Sequence, residues 1–92
     1  MRSFNKVVLE GAVGSHFIEL GKDGLWRGQF DLHVAVKDQG VIVFDCLADE
    51  KDMSVHNLGT GIGGNDARVE GEIRRNKYSG TWYIHVTKIE IL

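Results

Sequence analysis

The segment from Leu25 to Lys37 reads LWRGQFDLHVAVK and shows the clearest alternation in the chain. One phase of this segment is apolar and holds Phe30, Leu32, Val34 and Val36. The other phase is mostly polar and holds Gln29, Asp31, His33, Ala35 and Lys37. Because successive side chains of a strand point to opposite faces, a repeat of two predicts a β-strand with one buried face.

A similar strand precedes this segment. Its apolar or glycine positions are Val7, Leu9, Gly11 and Val13, and the pattern continues through residues 16–20. Gly14 is expected to bend this first strand, so that it can serve two sheets and close a small barrel. Turn residues at 21–24 and 38–40 bound the second strand on either side.

Three further strands are predicted in the rest of the chain. The third runs from Val41 to Ala48. In the fourth, charged residues alternate with Ala67, Val69, Gly71 and Ile73. The fifth runs from Thr81 to Leu92 and changes phase along its length. A bulge near Thr87 and Lys88 would let its early and late isoleucines face the same core.

The stretch from Asp49 to Leu58 is the one candidate helix, and its acidic first turn suits the positive end of a helix dipole. Gly59 to Asp66 follow as a glycine-rich loop. Part of that loop matches G-x-G-x-x-G, but a helix precedes it and a strand follows, the reverse of a dinucleotide site. Five strands with a short helix between the third and fourth predict an all-β OB-fold barrel over residues 1–92.

Composition limits the classes of function. A length of 92 residues, with 42% hydrophobic residues, corresponds to one domain. The formal charge of −2 excludes a uniformly basic surface, so phosphate contacts must come from a local patch. One cysteine, Cys46, excludes an internal disulfide, and the absence of a signal peptide or a long apolar run leads us to expect a cytoplasmic protein.

Four motifs resemble a known family. They are the opening Asn5–Gly11 (NKVVLEG), the third strand Phe44–Ala48 (FDCLA), the fourth strand Val69–Arg75 (VEGEIRR) and the ending Ile84–Leu92. In order and spacing they are similar to bacterial and phage single-stranded-DNA-binding proteins of the SSB type, with the primosomal protein PriB as a related group. The resemblance implies an OB-fold that binds single-stranded DNA without a cofactor, and RNA remains open as an alternative ligand.

The chain also departs from that family. The resemblance places aromatic residues where Val43 and Asp49 stand, and family members carry an acidic C-terminal tail, whereas this sequence ends at Leu92. Loss of two stacking rings implies weaker binding, since each stacked base is worth roughly 1–3 kcal/mol.

The candidate binding residues combine cations with aromatic rings, as single-strand binding requires. The densest group lies in the last hairpin and comprises Arg74, Arg75, Lys77, Tyr78 and Tyr83; Tyr78 matches a stacking position of the family. Weaker candidates are Arg68 on the fourth strand and Arg27, His33 and Lys37 on the second, with Trp26 at its start. The alternative is an ordinary solvated β-surface. By phase, Tyr83 and His85 are expected to leave the core.

Oligomerisation is expected through the first strand. Val8 and Ala12 give its outer face an apolar character, beside Lys6 and Glu10. In the SSB family, first strands meet across a two-fold axis, so the resemblance implies a homodimer, extended to a tetramer if Trp82 and the last hairpin make a second contact. For Trp26 and Trp82, packing at the core edge, a subunit contact and base stacking all remain open.

No catalytic constellation is found. The four histidines lie far apart in sequence, and Cys46 is expected to be a buried, inert thiol. Acidic residues near Asp49 are explained by a helix start rather than by a metal site. The sequence thus predicts a non-enzymatic protein that binds single-stranded DNA with little sequence preference in replication, recombination or repair. The alternative is an OB-fold assembly module that contacts a partner protein, and a small metal-dependent nuclease comes third.

Overall fold

The computed structural model describes residues 3–51 and 63–92, and all regular structure in these ranges is β-strand. The strands are β1 (Val7–Leu20), β2 (Trp26–Val36), β3 (Gly40–Asp49), β4 (Asp66–Arg75) and β5 (Trp82–Ile91). They form a closed barrel in the order β1-β2-β3-β5-β4, and β4 pairs with β1 to complete it. All pairs are antiparallel except β3 with β5. The predicted five-stranded barrel is confirmed, and the described ranges contain no helix that could cross a membrane.

The first strand closes the barrel by pairing on both sides in turn. Its first half pairs with β4, and from Ala12 onward it pairs with β2. Between the pairs Val13↔Leu32 and His16↔Phe30 the register shifts, so that Gly14 and Ser15 together face one residue of β2. This bulge bends the strand at the predicted place.

A second bulge lies in β5. Gly71 pairs with Val86 and Glu70 pairs with Lys88, which leaves Thr87 as the extra residue. Val86 is fully buried before the bulge, and Ile89 packs against the core after it. The change of phase read from the sequence is therefore a real bulge, and its position is confirmed.

The core fills the barrel with side chains from all five strands. It consists of Val13, Phe30, Leu32, Cys46, Ala48, Ala67, Val69, Ile84 and Val86. Cys46 is fully buried and free, and burial raises the pKa of its thiol to about 12, which keeps the thiol protonated and unreactive near neutral pH. The prediction of a buried thiol is confirmed.

Two strand glycines are explained by close crossings of the backbone. A side chain on Gly11 would overlap the carbonyl of His33, and one on Gly71 would overlap the carbonyl of His85. Each glycine thus lets two strands approach where the barrel is tightly curved.

The asparagine of the opening motif ties the start of the chain to β4. Its side chain accepts a hydrogen bond from the Ile73 amide at 2.9 Å and donates one to the Ile73 carbonyl at 2.7 Å. Asn5 therefore copies the pairing of a strand residue and extends the β1–β4 ladder by one step beyond Val7.

The predicted helix from Asp49 to Leu58 begins inside a strand. Asp49 is the last residue of β3, and Glu50 continues its pairing, because the Glu50 amide donates to the Trp26 carbonyl at 2.9 Å. Asp49 and Glu50 therefore belong to the end of a strand, and the Lys51 amide donates to the Asp49 carboxylate at 3.0 Å. The rest of that helix and most of the glycine-rich loop fall on residues 52–62, outside the described part of the chain.

Two aromatic side chains of β5 depart from the strand phase. His85 is 7% exposed, although its phase predicts an outward position, and it lies in register with Leu47 of β3 and Glu72 of β4. Trp82 has the inward phase but is 65% exposed, since it pairs with Arg75 at the end of β4, beyond the core. The expectation that His85 leaves the core is wrong.

Candidate nucleic-acid interface

Two turns lie at the same end of the barrel. Because β3 and β5 run parallel, the β2–β3 turn that precedes Gly40 and the β4–β5 turn that precedes Trp82 come at one end. Asp38 and Gly40 both have positive φ, at 64° and 76°, which makes the first of these turns tight. This end is the part of the barrel where the predicted hairpin cluster belongs.

The β4–β5 turn is held by its own hydrogen bonds. The side-chain oxygen of Asn76 accepts from the amides of Tyr78 (2.9 Å) and Ser79 (3.1 Å), and the Gly80 amide donates to the Asn76 carbonyl at 2.8 Å. Gly80 takes φ 75°, which a glycine adopts without strain. A turn tied in this way holds Tyr78 at its tip, where the phenol ring is 94% exposed.

Arg75 and Lys77 flank that tip without a carboxylate partner among the described residues. The Arg75 guanidinium lies 5.9 Å from the centre of the Trp82 ring, and its Nε donates to the Gly80 carbonyl at 3.3 Å. An exposed cation fixed over a ring can contact a phosphate without first breaking an ion pair.

Other candidate cations are neutralised within the fold. Arg27 bonds to Asp23 at 2.6 Å and lies 3.4 Å from Asp49, and this guanidinium holds the pKa of Asp23 at about 2. Arg68 bonds to Glu10 at 2.7 Å and also meets Glu90. The same carboxylates raise the pKa values of these two guanidinium groups.

Arg74 is paired in the same manner. Its Nε donates to Glu72 at 2.6 Å, two residues earlier on β4. Among the predicted cations, the structure therefore separates Arg75, Lys77 and Lys37, which have no ion pair in the described residues, from three arginines that do.

The outer face of β2 and β3 carries mixed chemistry. Asp31 stands directly opposite Asp45, and His33 stands opposite Val43. Facing carboxylates repel one another and also repel a phosphate chain. Lys37, near the β2–β3 turn, is the exposed cation at the hairpin end of this face.

Trp26 lies at the opposite end of β2 from that turn. It is partly buried against the core, and its amide donates to the Glu50 carboxylate at 2.8 Å. Val36 lies ten positions further along the strand, a span of roughly 33 Å. The structure therefore does not bring Trp26 and Arg27 together with the hairpin cluster.

Two adjoining concavities lie at the hairpin end. The first, which we call the apolar groove, has a volume of about 160 Å³ and is lined by Val43, Phe44, Asp45, Ile73, Trp82, Tyr83 and Ile84. The second, the cationic hollow, has a volume of about 220 Å³ and is lined by Arg75, Asn76, Lys77, Tyr78 and Tyr83. Tyr83 belongs to both, so the two form one continuous surface.

Sequence reasoning missed two residues of the apolar groove. Val43 is 51% exposed and Ile73 is 44% exposed, although the phase of Ile73 predicted a core position. Ile73 lies near the end of β4, where the barrel no longer covers its side chain. The one sequence signal was that the third strand is apolar on both faces at its start.

The predicted oligomer residues lie on the first half of β1. Val8 is 51% exposed, and Lys6 and Glu10 beside it pair with Glu70 (3.5 Å) and Arg68 of β4. Since pairing with β2 starts at Ala12, one backbone edge of residues 7–11 has no strand partner in the described part of the chain. An open edge of this kind tends to be covered.

The closed barrel of five strands, with β1 shared between β2 and β4, defines the chain as an OB-fold protein. It is similar to the dimeric N-terminal domain of PriB protein from Thermoanaerobacter tencongensis, with a TM-score of 0.76 and 18% identity over 96% of each chain. It is also similar to a deletion mutant of the single-stranded DNA binding protein from Thermus aquaticus, with a TM-score of 0.82 and 14% identity.

The Thermus match covers 99% of this chain and 42% of that one. No protein-family model and no curated protein matches the sequence. The structural comparisons confirm the fold that the resemblance implied. Within the described ranges, no three His, Cys, Asp or Glu side chains come together as a metal site.

Proposed function

We propose that this chain binds single-stranded DNA with little sequence preference, has no catalytic activity, and acts as a homo-oligomer. The observation that carries the proposal is the tip of the β4–β5 hairpin. There an almost fully exposed ring, Tyr78, lines the same hollow as two cations, Arg75 and Lys77, that have no ion pair in the described residues. Flat rings for bases beside free cations for phosphates are what sequence-tolerant single-strand binding requires.

The names of two structural neighbours support the same function. One solved relative in fold is a single-stranded DNA binding protein by name, and the other is a PriB domain described as dimeric. By analogy, we place this chain in DNA replication, recombination or repair. We place it in the cytoplasm because Cys46, its one cysteine, is a free thiol that suits a reducing compartment.

We propose a dimer built on the first half of β1. The exposed side chain of Val8 and the unpaired backbone edge of residues 7–11 can meet the same surface of a second copy across a two-fold axis. Two barrels on one strand of DNA would raise the avidity without new contacts in either. This would offset the small number of cations in each binding face.

A second candidate function is that of an assembly module. The opposed Asp31 and Asp45, with exposed Val41 and Val43 next along β3, suit a protein partner better than a phosphate chain. A partner protein would cover the outer face of β2 and β3, whereas DNA would bind at the hairpin end. Variants at the hairpin therefore separate the two functions.

The test is fluorescence anisotropy with a labelled dT oligomer at low salt and micromolar protein, with a duplex of equal length for comparison. We expect binding to the single strand and a weaker affinity in Lys77→Ala. The matched control is Lys22→Ala, because Lys22 is an exposed turn lysine at the opposite end of the barrel. No binding at micromolar protein would reject the DNA function and favour the assembly module.

A further inference from the structure

We propose that the apolar groove holds one nucleobase of the bound strand, stacked on the Trp82 indole, while the phosphate beside that base lies in the cationic hollow. This inference rests on the proposed function and names the part of the DNA that each concavity takes. It assigns Trp82 to the nucleic acid instead of to a subunit contact.

The size and lining of the groove suit a single flat ring. Its volume is about 160 Å³, and its lining includes the exposed apolar side chains of Val43, Ile73 and Trp82. An apolar cavity of about 150 Å³ is enough to bind one benzene molecule. The groove is open on one side, so a base can enter while its sugar remains outside.

Charge decides which part of a nucleotide enters. Asp45 lines the groove and repels a phosphate, whereas Arg75 and Lys77 line the adjoining hollow and attract one. Tyr83 belongs to both concavities and forms the wall between them. A nucleotide therefore fits in one orientation, with its base toward Trp82 and its phosphate toward the hairpin.

The position of Arg75 adds to this orientation. Its guanidinium already lies 5.9 Å from the centre of the Trp82 ring, next to the mouth of the groove. A phosphate bound to Arg75 is therefore within one nucleotide of a base stacked on Trp82. The cation and the ring act together, one on the backbone and one on the base.

A second copy of this chain fits the groove less well. A two-fold contact uses the same patch on both copies, so it would bring Arg75 and Lys77 of each protomer close to the same residues of the other. These cations have no carboxylate partner in the described residues that would offset the repulsion. A phosphate chain supplies one negative charge for each of the two cations, whereas the groove of another protomer offers the single carboxylate of Asp45 against them.

The experiment uses Trp26→Phe protein, in which Trp82 is the only tryptophan, titrated with dT8 and followed by tryptophan fluorescence and anisotropy. We expect quenching of Trp82 on binding. In Trp82→Ala the affinity should fall by about 5- to 100-fold with the salt slope unchanged, because a base contact releases no counterions. Trp82→Phe should keep most of the affinity, since a ring remains.

The matched control is Val41→Ala, on the same strand face as Val43 but outside the groove. Light scattering should give the same mass for Trp82→Ala as for the parent. Unquenched Trp82 fluorescence at saturation, or full affinity in Trp82→Ala, would overturn the inference while the proposed function stands. A lower mass in Trp82→Ala would show a subunit contact and overturn it as well.

Failure of the parent protein to bind dT8 at low salt would reject the proposed function and this inference together. Binding that Lys77→Ala weakens but Trp82→Ala does not would reject the inference alone. The fluorescence measurement uses protein with an intact groove, so it remains decisive if the alanine variant folds poorly.

Discussion

The salt dependence of DNA binding should follow from which cations the fold leaves unpaired. Lys37, Arg75 and Lys77 have no ion pair in the described residues, so three phosphates per protomer is the expected number of contacts. For single strands, each phosphate contact contributes about −0.7 to the slope of log K against log salt. Three contacts therefore give a slope of about −2. From 50 to 200 mM salt, the affinity should fall by about 15- to 20-fold.

Substitution of a free cation should change the salt slope of binding, whereas substitution of a paired cation should leave the slope unchanged. Lys77→Ala removes one contact, so its slope should be about −1.4 and its affinity should fall by about seven-fold over the same range of salt. Arg68→Ala removes a guanidinium already bound to Glu10 and Glu90, so its slope should stay near −2. Anisotropy with a labelled dT8 at four salt concentrations measures both. Equal flattening in Arg68→Ala and Lys77→Ala would refute the reasoning that internal ion pairs remove an arginine from the binding surface.

Four further predictions concern other parts of the barrel. Tyr78→Ala should weaken dT8 binding by roughly 1–3 kcal/mol without a change in thermal stability, since the ring is 94% exposed; a loss of stability would mean that the ring packs on the protein. Val8→Lys should shift the mass by light scattering toward the 10.3 kDa monomer; an unchanged dimer mass would place the interface elsewhere. Gly71→Ala should cost about 1–3 kcal/mol in urea unfolding, because the added carbon would overlap the His85 carbonyl; an unchanged free energy of unfolding would contradict the close crossing. Cys46 should react with a thiol reagent at pH 8 only after unfolding, and the unfolding free energy should fall as the pH rises from 9 toward 12, because the unfolded thiol ionises first; rapid labelling of the native protein would contradict its burial.

Local patterns in the sequence predicted the strands because each strand has a buried face of its own. The alternation from Leu25 to Lys37 and the change of phase around Thr87 both correspond to features of the barrel. Glycine positions were informative for the same reason, since Gly11 and Gly71 mark crossings that any side chain would block. These properties depend on the nearest residues along the chain.

The properties that the sequence did not predict depend on pairing between strands. Arg68 meets Glu10 and Glu90 because β4 lies between β1 and β5 in a particular register. His85 is buried although its phase faces outward, and Ile73 is 44% exposed although its phase faces the core. The alternation along a strand predicts whether a side chain faces inward or outward. It does not predict whether the rest of the barrel covers that side chain.

For the candidate site, the sequence predicted which residues belong to the hairpin group, but not which of their cations the fold leaves without an ion pair. Arg75, Lys77, Tyr78 and Tyr83 do line one hollow. Trp26 and Arg27 fall at the other end of β2, since a strand of eleven residues separates its two ends widely. The apolar groove was not predicted, because its walls come from three strands that are distant in sequence.

The bond between Asn5 and Ile73 has a practical consequence for how the protein is tethered. Because Ile73 is two residues before Arg75, an affinity tag or fluorophore joined ahead of Asn5 emerges beside the hairpin end and can obstruct an incoming oligonucleotide. The last residue of β5, Ile91, pairs with Ala67 at the far end of the barrel, and the Leu92 amide bonds to the Asp66 carbonyl at 2.9 Å. Immobilisation through a linker after Leu92 therefore leaves both concavities facing solution.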